Sequence, residues 1–234
     1  MNVAYNVDCM EYLKTVPDGF FDLAVVDPPY GLGITGKNRG GLCNIGDNRP
    51  FGGNGAGVRP LEARCIAANF YPVFDDSSPP NEDYFRELSR VAKNRIIWGG
   101  NFFLDYLGRA SCMIVWDKGR RGMDQADCEI AWTDLPGQNR IFEYLWNGML
   151  QGNMKEKEQR IHATQKTVAL YAWIFNRWAK PGMKILDTHL GSGSSRIAAY
   201  DAGLDFVGCE ISETYFRLQE ERFAQHTAQT SLFV

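Results

Sequence analysis

The sequence predicts a doubly wound α/β fold, with a mostly parallel, seven-stranded sheet and helices on both of its faces. Seven short β-like runs can be marked: Val3–Val7, Phe21–Val26, Arg95–Trp98, Cys112–Trp116, Glu129–Trp132, Lys184–Leu186 and Phe206–Cys209. Several are almost wholly apolar, as expected when helices cover both faces of a parallel sheet. Helical patterns separate many of them, and strands alternating with helices build α/β sheets.

Each helix has its own signal. Asn81–Lys93 spaces Tyr84, Phe85, Leu88 and Val91 along one helical face. Val168–Ala179 does the same with Leu170, Tyr171, Ile174, Phe175 and Trp178. A further helix is expected to start near Ser194 and to stop at Gly203. The last runs from about Ser212 to His226. Two stretches fit no element. Gly31–Pro60 is rich in Gly and Asn and carries Lys37, Arg39, Arg49 and Arg59, and Gly137–Ala163 carries Arg140, Lys155, Lys157 and Arg160. Loops of this length in a compact domain are usually functional or disordered.

Composition bounds the rest. With 234 residues, 44% of them hydrophobic, the chain suits one domain spanning 1–234 and is too short for two. No signal peptide or membrane span is read, so a cytoplasmic protein is expected. A net charge of −3 argues against non-specific coating of nucleic acid, but leaves room for a local basic groove. Cys9, Cys43, Cys65, Cys112, Cys128 and Cys209 are scattered and form no Cys-x-x-Cys pair. Reduced thiols are expected, with no metal site.

Two motifs carry chemistry. The apolar run ending at Val26 is followed at once by Asp27-Pro28-Pro29-Tyr30. Each proline fixes its own φ and extends the residue before it, so Asp27 is held stiffly at the carboxyl end of a strand, where open α/β sheets build sites. The exocyclic amino group of a base is a poor nucleophile, because its lone pair is conjugated into the ring. Two acceptors on its N–H bonds favour a pyramidal nitrogen with an available lone pair. The Asp27 carboxylate is one acceptor and the Pro28 carbonyl the natural second. Tyr30 offers a π-face for a base taken out of a duplex.

The second motif reads strand, glycine turn, helix. Lys184-Ile185-Leu186-Asp187 leads into Gly191-Ser192-Gly193, and Glu210 ends the next strand, where an acid can bind both hydroxyls of a ribose. A nicotinamide dinucleotide would ask for a third glycine at the position of Arg196. An adenosine ligand without a pyrophosphate fits better, and S-adenosylmethionine is one.

Together these residues resemble the β-group S-adenosylmethionine-dependent DNA amino-methyltransferases, over nearly the whole chain. Asp27–Tyr30 matches the family's catalytic tetrapeptide and Leu186–Ser194 its cofactor loop. His162-Ala163-Thr164-Gln165-Lys166-Thr167 looks like its His-Pro-Thr-Gln-Lys-Pro motif, and Asp8-Cys9 matches the pair expected near the cofactor's adenine. Trp98–Phe102 and Ile114–Lys118 look like segments of phage-type members. The departures are Thr188-His189 for Pro-Phe, Ser194 for Thr, and Ala163 and Thr167 for the two prolines.

The resemblance implies a permuted Rossmann-like methyltransferase fold. Its catalytic half is about 1–135, its recognition segments about 31–60 and 137–163, and its cofactor half about 164–234. It implies Asp27, Pro28, Pro29 and Tyr30 as catalytic residues. Asp8, Cys9, Gln165, Lys166, Asp187, Gly191, Ser192, Gly193 and Glu210 are implied to bind S-adenosylmethionine, which leaves as S-adenosylhomocysteine. Asp187 and His162 also have structural alternatives, the first orienting the loop and the second capping the following helix. His189 either touches the ligand or packs. Lys118-Gly119-Arg120-Arg121 either lines a phosphate groove or is solvated surface. The implied partner is double-stranded DNA, with a homodimer as one assembly, and segment 31–60 is expected to order over the DNA. Asp at the first catalytic position is typical of adenine N6 members. Cytosine N4, an RNA or protein amide, and a decayed nucleic-acid-binding module stay open as alternatives.

Overall fold

Successive side chains of β2 (Leu23–Val26) point to opposite faces, and all are buried, which places this strand inside a sheet covered on both sides. The chain is described by a computed structural model at residues 1–32, 42–43, 71–72, 76–119, 121, 126–147 and 150–230. Most of the segment 31–60 therefore lies outside the described residues.

The other strands of the main sheet are β1 (Asn2–Asn6), β5 (Arg95–Trp98), β6 (Cys112–Asp117), β7 (Cys128–Thr133), β8 (Arg140–Glu143), β11 (Lys184–Asp187) and β12 (Asp205–Glu210). Their order is β1-β12-β11-β2-β5-β7-β6-β8. Only β7 is reversed, lying antiparallel to both β5 and β6. Four two-residue strands form two small ribbons: β3 (Leu42–Cys43) with β4 (Tyr71–Pro72), and β9 (Trp146–Asn147) with β10 (Leu150–Gln151).

The main sheet thus has eight described strands where seven were expected. The eighth, β8, lies inside the stretch 137–163 that had fitted no element, and pairs in parallel with β6 from Ile114↔Arg140 to Asp117↔Glu143. Its four residues alternate between half-buried and exposed, because only one face of this edge strand is covered. Phe142 packs against Trp173 at 5.4 Å while Ile141 faces out. So short an alternation, with a charge at each end, carries little periodic signal.

Helices cover both faces. On one face, α1 (Cys9–Leu13) and α2 (Glu82–Val91) bring Leu13, Tyr84, Phe85, Leu88 and Val91 against Ala24 and Val26. Asn81 caps α2 by accepting from the Tyr84 N–H at 3.3 Å. On the other face, α4 (Val168–Trp178) and α5 (Ser194–Asp201) set Leu170, Ile174, Phe175, Ala198 and Ala199 against Leu23 and Val25. Each fully buried Leu, Ile or Phe of this kind stabilises the fold by about 1.5–3 kcal/mol. A short α3 (Leu104–Leu107) follows β5, and the long α6 (Glu213–Thr230) closes the described chain. No helix among the described residues is long and apolar enough to cross a membrane.

This topology positions the site. β2 and β11 are neighbours, paired Ile185↔Leu23 and Leu186↔Ala24. From β11 the chain crosses through α5 to β12 on one side, whereas β2 pairs with β5 on the other. Connections leaving in opposite directions open a crevice at the carboxyl ends of the two strands. Both sequence motifs stand at its rim.

Candidate active site

Asp27 follows β2 directly and both of its carboxylate oxygens are engaged. The Tyr30 hydroxyl donates to Oδ1 at 2.6 Å, and the Lys166 ammonium donates to Oδ2 at 2.5 Å. Burial first, and then the Asp27 charge, push the Tyr30 hydroxyl well above its ordinary range, so it stays protonated as a donor. The Tyr30 ring stacks on Phe102, with centroids 5.0 Å apart and planes 19° apart, and meets Phe103 edge-on at 6.0 Å. It also lies against Gly99, where a Cβ would fall 2.2 Å from the ring. Gly99 has φ +68°, so both sterics and backbone conformation require glycine there. Tyr30 therefore orients the carboxylate as well as presenting an aromatic surface, a hydroxyl role that the tetrapeptide pattern does not reveal.

Lys166 departs from its expected place. The motif resemblance assigns it to the cofactor, yet its ammonium sits between Asp27 and Glu129, with Glu129 Oε2 at 2.9 Å. Glu129 also pairs with Lys118, giving an alternating row Asp27–Lys166–Glu129–Lys118. Burial opposes the Lys166 charge, but the two carboxylates outweigh it and hold its pKa above the ordinary value. Burial likewise opposes the Glu129 charge, but Lys166 and Lys118 outweigh it and hold that carboxyl low. Lys118 is thus turned inward rather than toward a phosphate groove, and Arg121 is exposed and paired with Asp117. Arg120 lies outside the described residues. Glu129 escapes a sequence reading because it looks like one polar residue in an apolar strand.

Gln165, expected at the cofactor, is buried and braces its own loop. Its Oε1 accepts from the Ile161 N–H at 2.8 Å and its amide donates to the Gln159 carbonyl at 3.2 Å. His162 does not cap the following helix, because Thr167 does so through the Ala169 N–H at 3.2 Å. Instead its ring lies on Tyr215 at 4.2 Å and over Gly191. Burial first, then Lys166 and Arg160, depress His162 to about 3, so it is neutral.

The glycine loop has the geometry its sequence suggested. Gly191 and Gly193 have φ +50° and +73°, conformations that favour glycine. The Gly191 N–H donates to Glu210 Oε2 at 2.8 Å, joining the loop to the end of β12. Glu210 also accepts from the Ser212 N–H at 2.8 Å, but burial outweighs these bonds and raises its pKa. Asp187 faces inward. It accepts from the Ser195 hydroxyl at 2.5 Å and the His189 N–H at 3.1 Å, and burial pushes it up to about 7. It orients the loop, the structural alternative for this residue.

His189 is packed. It lies edge-on to Tyr84 at 5.4 Å and shares a 2.9 Å hydrogen bond with Thr188, whose hydroxyl meets the Tyr84 hydroxyl at 2.7 Å. Tyr84 thus supplies the polar partner of the Thr188 hydroxyl. Asp8 accepts from the Met10 N–H at 2.7 Å and caps α1. Burial first, then Asp8, pushes the adjacent Cys9 thiol up to about 12. Cys9, Cys112, Cys128 and Cys209 are free thiols, while the Cys43 side chain and Cys65 lie outside the described residues.

One arginine holds the loop from behind. Arg222 of α6 donates to the Ser192 carbonyl and the Ser194 hydroxyl, both at 2.8 Å, and pairs with Glu158 at 2.8 Å. Arg196, at the position of the missing third glycine, turns away to Gln219 and Asn2, each at 2.9 Å, and lies over the Phe223 ring at 4.0 Å.

With this geometry in place, comparison with known proteins is direct. Residues 112–221 match a family model described as DNA methylase, N6_N4_Mtase. The matched stretch is just under half of the chain, and over it the sequence is similar to the N6/N4 DNA methylases. It is 22% identical to the type II methyltransferase M.HinfI of Haemophilus influenzae, over 96% of this chain and 69% of that protein. Its fold is similar to that of the M1.HpyAVI–SAM complex, with a TM-score of 0.53, 17% identity, and coverage of 95% and 98% of the two chains. It is likewise similar to that of PvuII DNA methyltransferase, described as cytosine-N4-specific, with a TM-score of 0.58, 12% identity, and coverage of 95% and 86%. The permuted, mostly parallel methylase fold is therefore established. Both amino-base specificities occur under the one family model.

Proposed function

We propose that this methylase transfers a methyl group from S-adenosylmethionine to the exocyclic amino nitrogen of a DNA base, N6 of adenine in the first instance. One observation carries the reading. The carboxylate of Asp27, oriented by Tyr30, stands at the end of β2, beside the β11 strand whose loop carries Gly191 and whose neighbour β12 ends in Glu210.

The residues present fit the cofactor. Glu210 is a largely buried acid at a strand end, with acceptor oxygens suited to ribose hydroxyls, and burial raises its pKa despite the N–H bonds from Gly191 and Ser212. Asp8 and Cys9 follow β1, the neighbour of β12 at the edge of the sheet. Gly191, Ser192 and Gly193 supply the loop. Gln165, Lys166 and Asp187 support the site from behind in this reading, rather than touching the cofactor. S-adenosylmethionine, when bound, supplies an electrophilic methyl on sulfur. Asp27 and the Pro28 carbonyl accept the two N–H bonds of the base and free the nitrogen lone pair. Tyr30 and the exposed, stacked Phe102 provide the aromatic surface. The new N–C bond forms as the S–C bond breaks, and the nitrogen then loses one proton, to Asp27 or to water.

Support for adenine comes from Asp at the first position of the tetrapeptide; the cytosine-N4 likeness favours the alternative. The test is incubation of purified protein with methyl-labelled S-adenosylmethionine and duplex DNA, single strands or RNA, followed by nucleoside mass spectrometry. N6-methyladenine in duplex DNA is expected, and it should vanish in Asp27→Ala. Label only in N4-methylcytosine would transfer the reading to cytosine, and label in none would overturn it. Glu210→Ala should weaken S-adenosylmethionine binding by about 1.5–3 kcal/mol, as for loss of charge-assisted hydrogen bonds. Wild-type affinity by calorimetry would remove Glu210 from the cofactor site.

A further inference from the structure

We infer that Glu129, a residue no motif marks, is a positioning residue for methyl transfer, balancing the charge of Lys166 so that Asp27 keeps its negative charge for the base. The inference rests on the function proposed above and deepens it.

The geometry sets the problem. Lys166 is nearly fully buried, and its ammonium donates to Oδ2 of the very carboxylate that must receive the amino group. A carboxylate has about four acceptor directions, so the Tyr30 hydroxyl and Lys166 leave room for the substrate N–H. Space is therefore not the difficulty; charge is. Methyl transfer places positive charge on the nitrogen held by Asp27, and a lysine that belonged to Asp27 alone would cancel the anion that stabilises it.

Glu129 resolves this. Its Oε2 lies 2.9 Å from the Lys166 nitrogen, on β7, while Asp27 follows β2. Glu129, shared with Lys118, offsets part of the Lys166 charge, so Asp27 keeps more negative charge toward the crevice than an isolated Asp27–Lys166 pair would leave it. Lys118 pairs with the other oxygen of Glu129 and holds it in place. Among the described residues, the other ionisable groups within electrostatic reach are Tyr30 and Tyr171, whose hydroxyls are pushed well above their ordinary range by burial first and then by carboxylates, His162, held neutral by burial and then by Lys166, and Asp187, which feels Asp27. The two tyrosines are neutral, so neither can replace Glu129 as the counter-ion.

The test is a charge-removal double-mutant cycle on the whole chain. Glu129→Gln keeps the shape and removes the charge. Its single-turnover methyl-transfer rate should fall about 10–100-fold, the scale of one lost electrostatic stabiliser, while S-adenosylmethionine affinity stays as in wild type. Adding Lys166→Met should then recover a large part of the rate, because the unbalanced cation is gone. A purely structural Glu129 predicts the opposite, a double variant slower than either single one. Should Glu129→Gln fail to fold, Glu129→Asp is measured, and a rate within about threefold of wild type is expected because the charge is kept. An unchanged Glu129→Gln rate, no recovery in the double variant, or a Glu129→Asp rate as low as Asp27→Ala would overturn the inference. If the wild type itself methylates nothing, the proposed function fails instead, and the two outcomes are distinct.

Discussion

The Tyr30 hydroxyl is the residue-scale feature that most changes the expected behaviour of the site. As a stacking surface alone, Tyr30 would be replaceable by Phe. Its 2.6 Å bond to Asp27 adds a donor to a carboxylate, worth about 1.5–3 kcal/mol. Tyr30→Phe should therefore slow single-turnover methylation about 10–100-fold and lower stability in a thermal melt by no more than the loss of one such hydrogen bond, about 1.5–3 kcal/mol, since the stack on Phe102 survives. A wild-type rate would show that the hydroxyl does not orient Asp27. Asp187 makes a second prediction at this scale. Its pKa is raised to about 7, so its contribution to stability is full below the unfolded carboxyl value and is lost as pH rises through 7. The size of the effect is on the order of 4 kcal/mol. Asp187→Asn does not titrate and keeps an acceptor for Ser195. Its melting temperature relative to wild type should rise between pH 5 and pH 8 in the ligand-free protein. His162 and His189, both depressed by burial, destabilise in the opposite direction as pH falls below 6.5, but they are common to both proteins and cancel. A difference that does not change with pH would show that Asp187 is not held protonated.

At the scale of elements, the glycine loop depends on α6 as much as on its own residues. Arg222 reaches from α6 to the Ser192 carbonyl and the Ser194 hydroxyl, and ties both to Glu158 in the segment before α4. Burial opposes its charge and lowers its pKa despite Glu158. Removing one partner of a buried pair leaves the other uncompensated, typically at about 3–5 kcal/mol. Arg222→Ala should lower stability by that order in denaturant melts, and weaken S-adenosylmethionine binding through a loosened loop without touching the ligand. Unaltered stability together with unaltered affinity would show that the loop holds its shape without α6.

At the scale of the whole molecule, the residues before and after 164 share one sheet. β11 is paired on one side with β12 and on the other with β2, from the first part of the chain, and β1 completes the far edge. Cutting before residue 164 would expose one edge of β11 and strip Leu186 of its packing against α1 and α2. The isolated fragment 164–234 should therefore show no cooperative melt and no S-adenosylmethionine binding, and mixing it with 1–163 should restore both. Independent folding of the fragment would instead divide the chain into two domains.

Much of this protein was determined by its sequence alone. The seven β-like runs, the helices and the two motif-bearing strand ends are all local, because periodicity and proline or glycine stereochemistry act over a few neighbouring residues, whereas the caps Asn81 and Thr167 appear only in the structure. Only the tertiary structure decided that β7 is reversed, that β8 adds an eighth strand, and that Lys166 serves Asp27 through a row ending at Lys118. Strand direction and edge pairing depend on partners distant in the chain, and a buried lysine goes wherever its counter-charges are. Asp27, Glu129 and Lys166 come from three separate stretches, and nothing in the local pattern of any one of them records the charge of the other two.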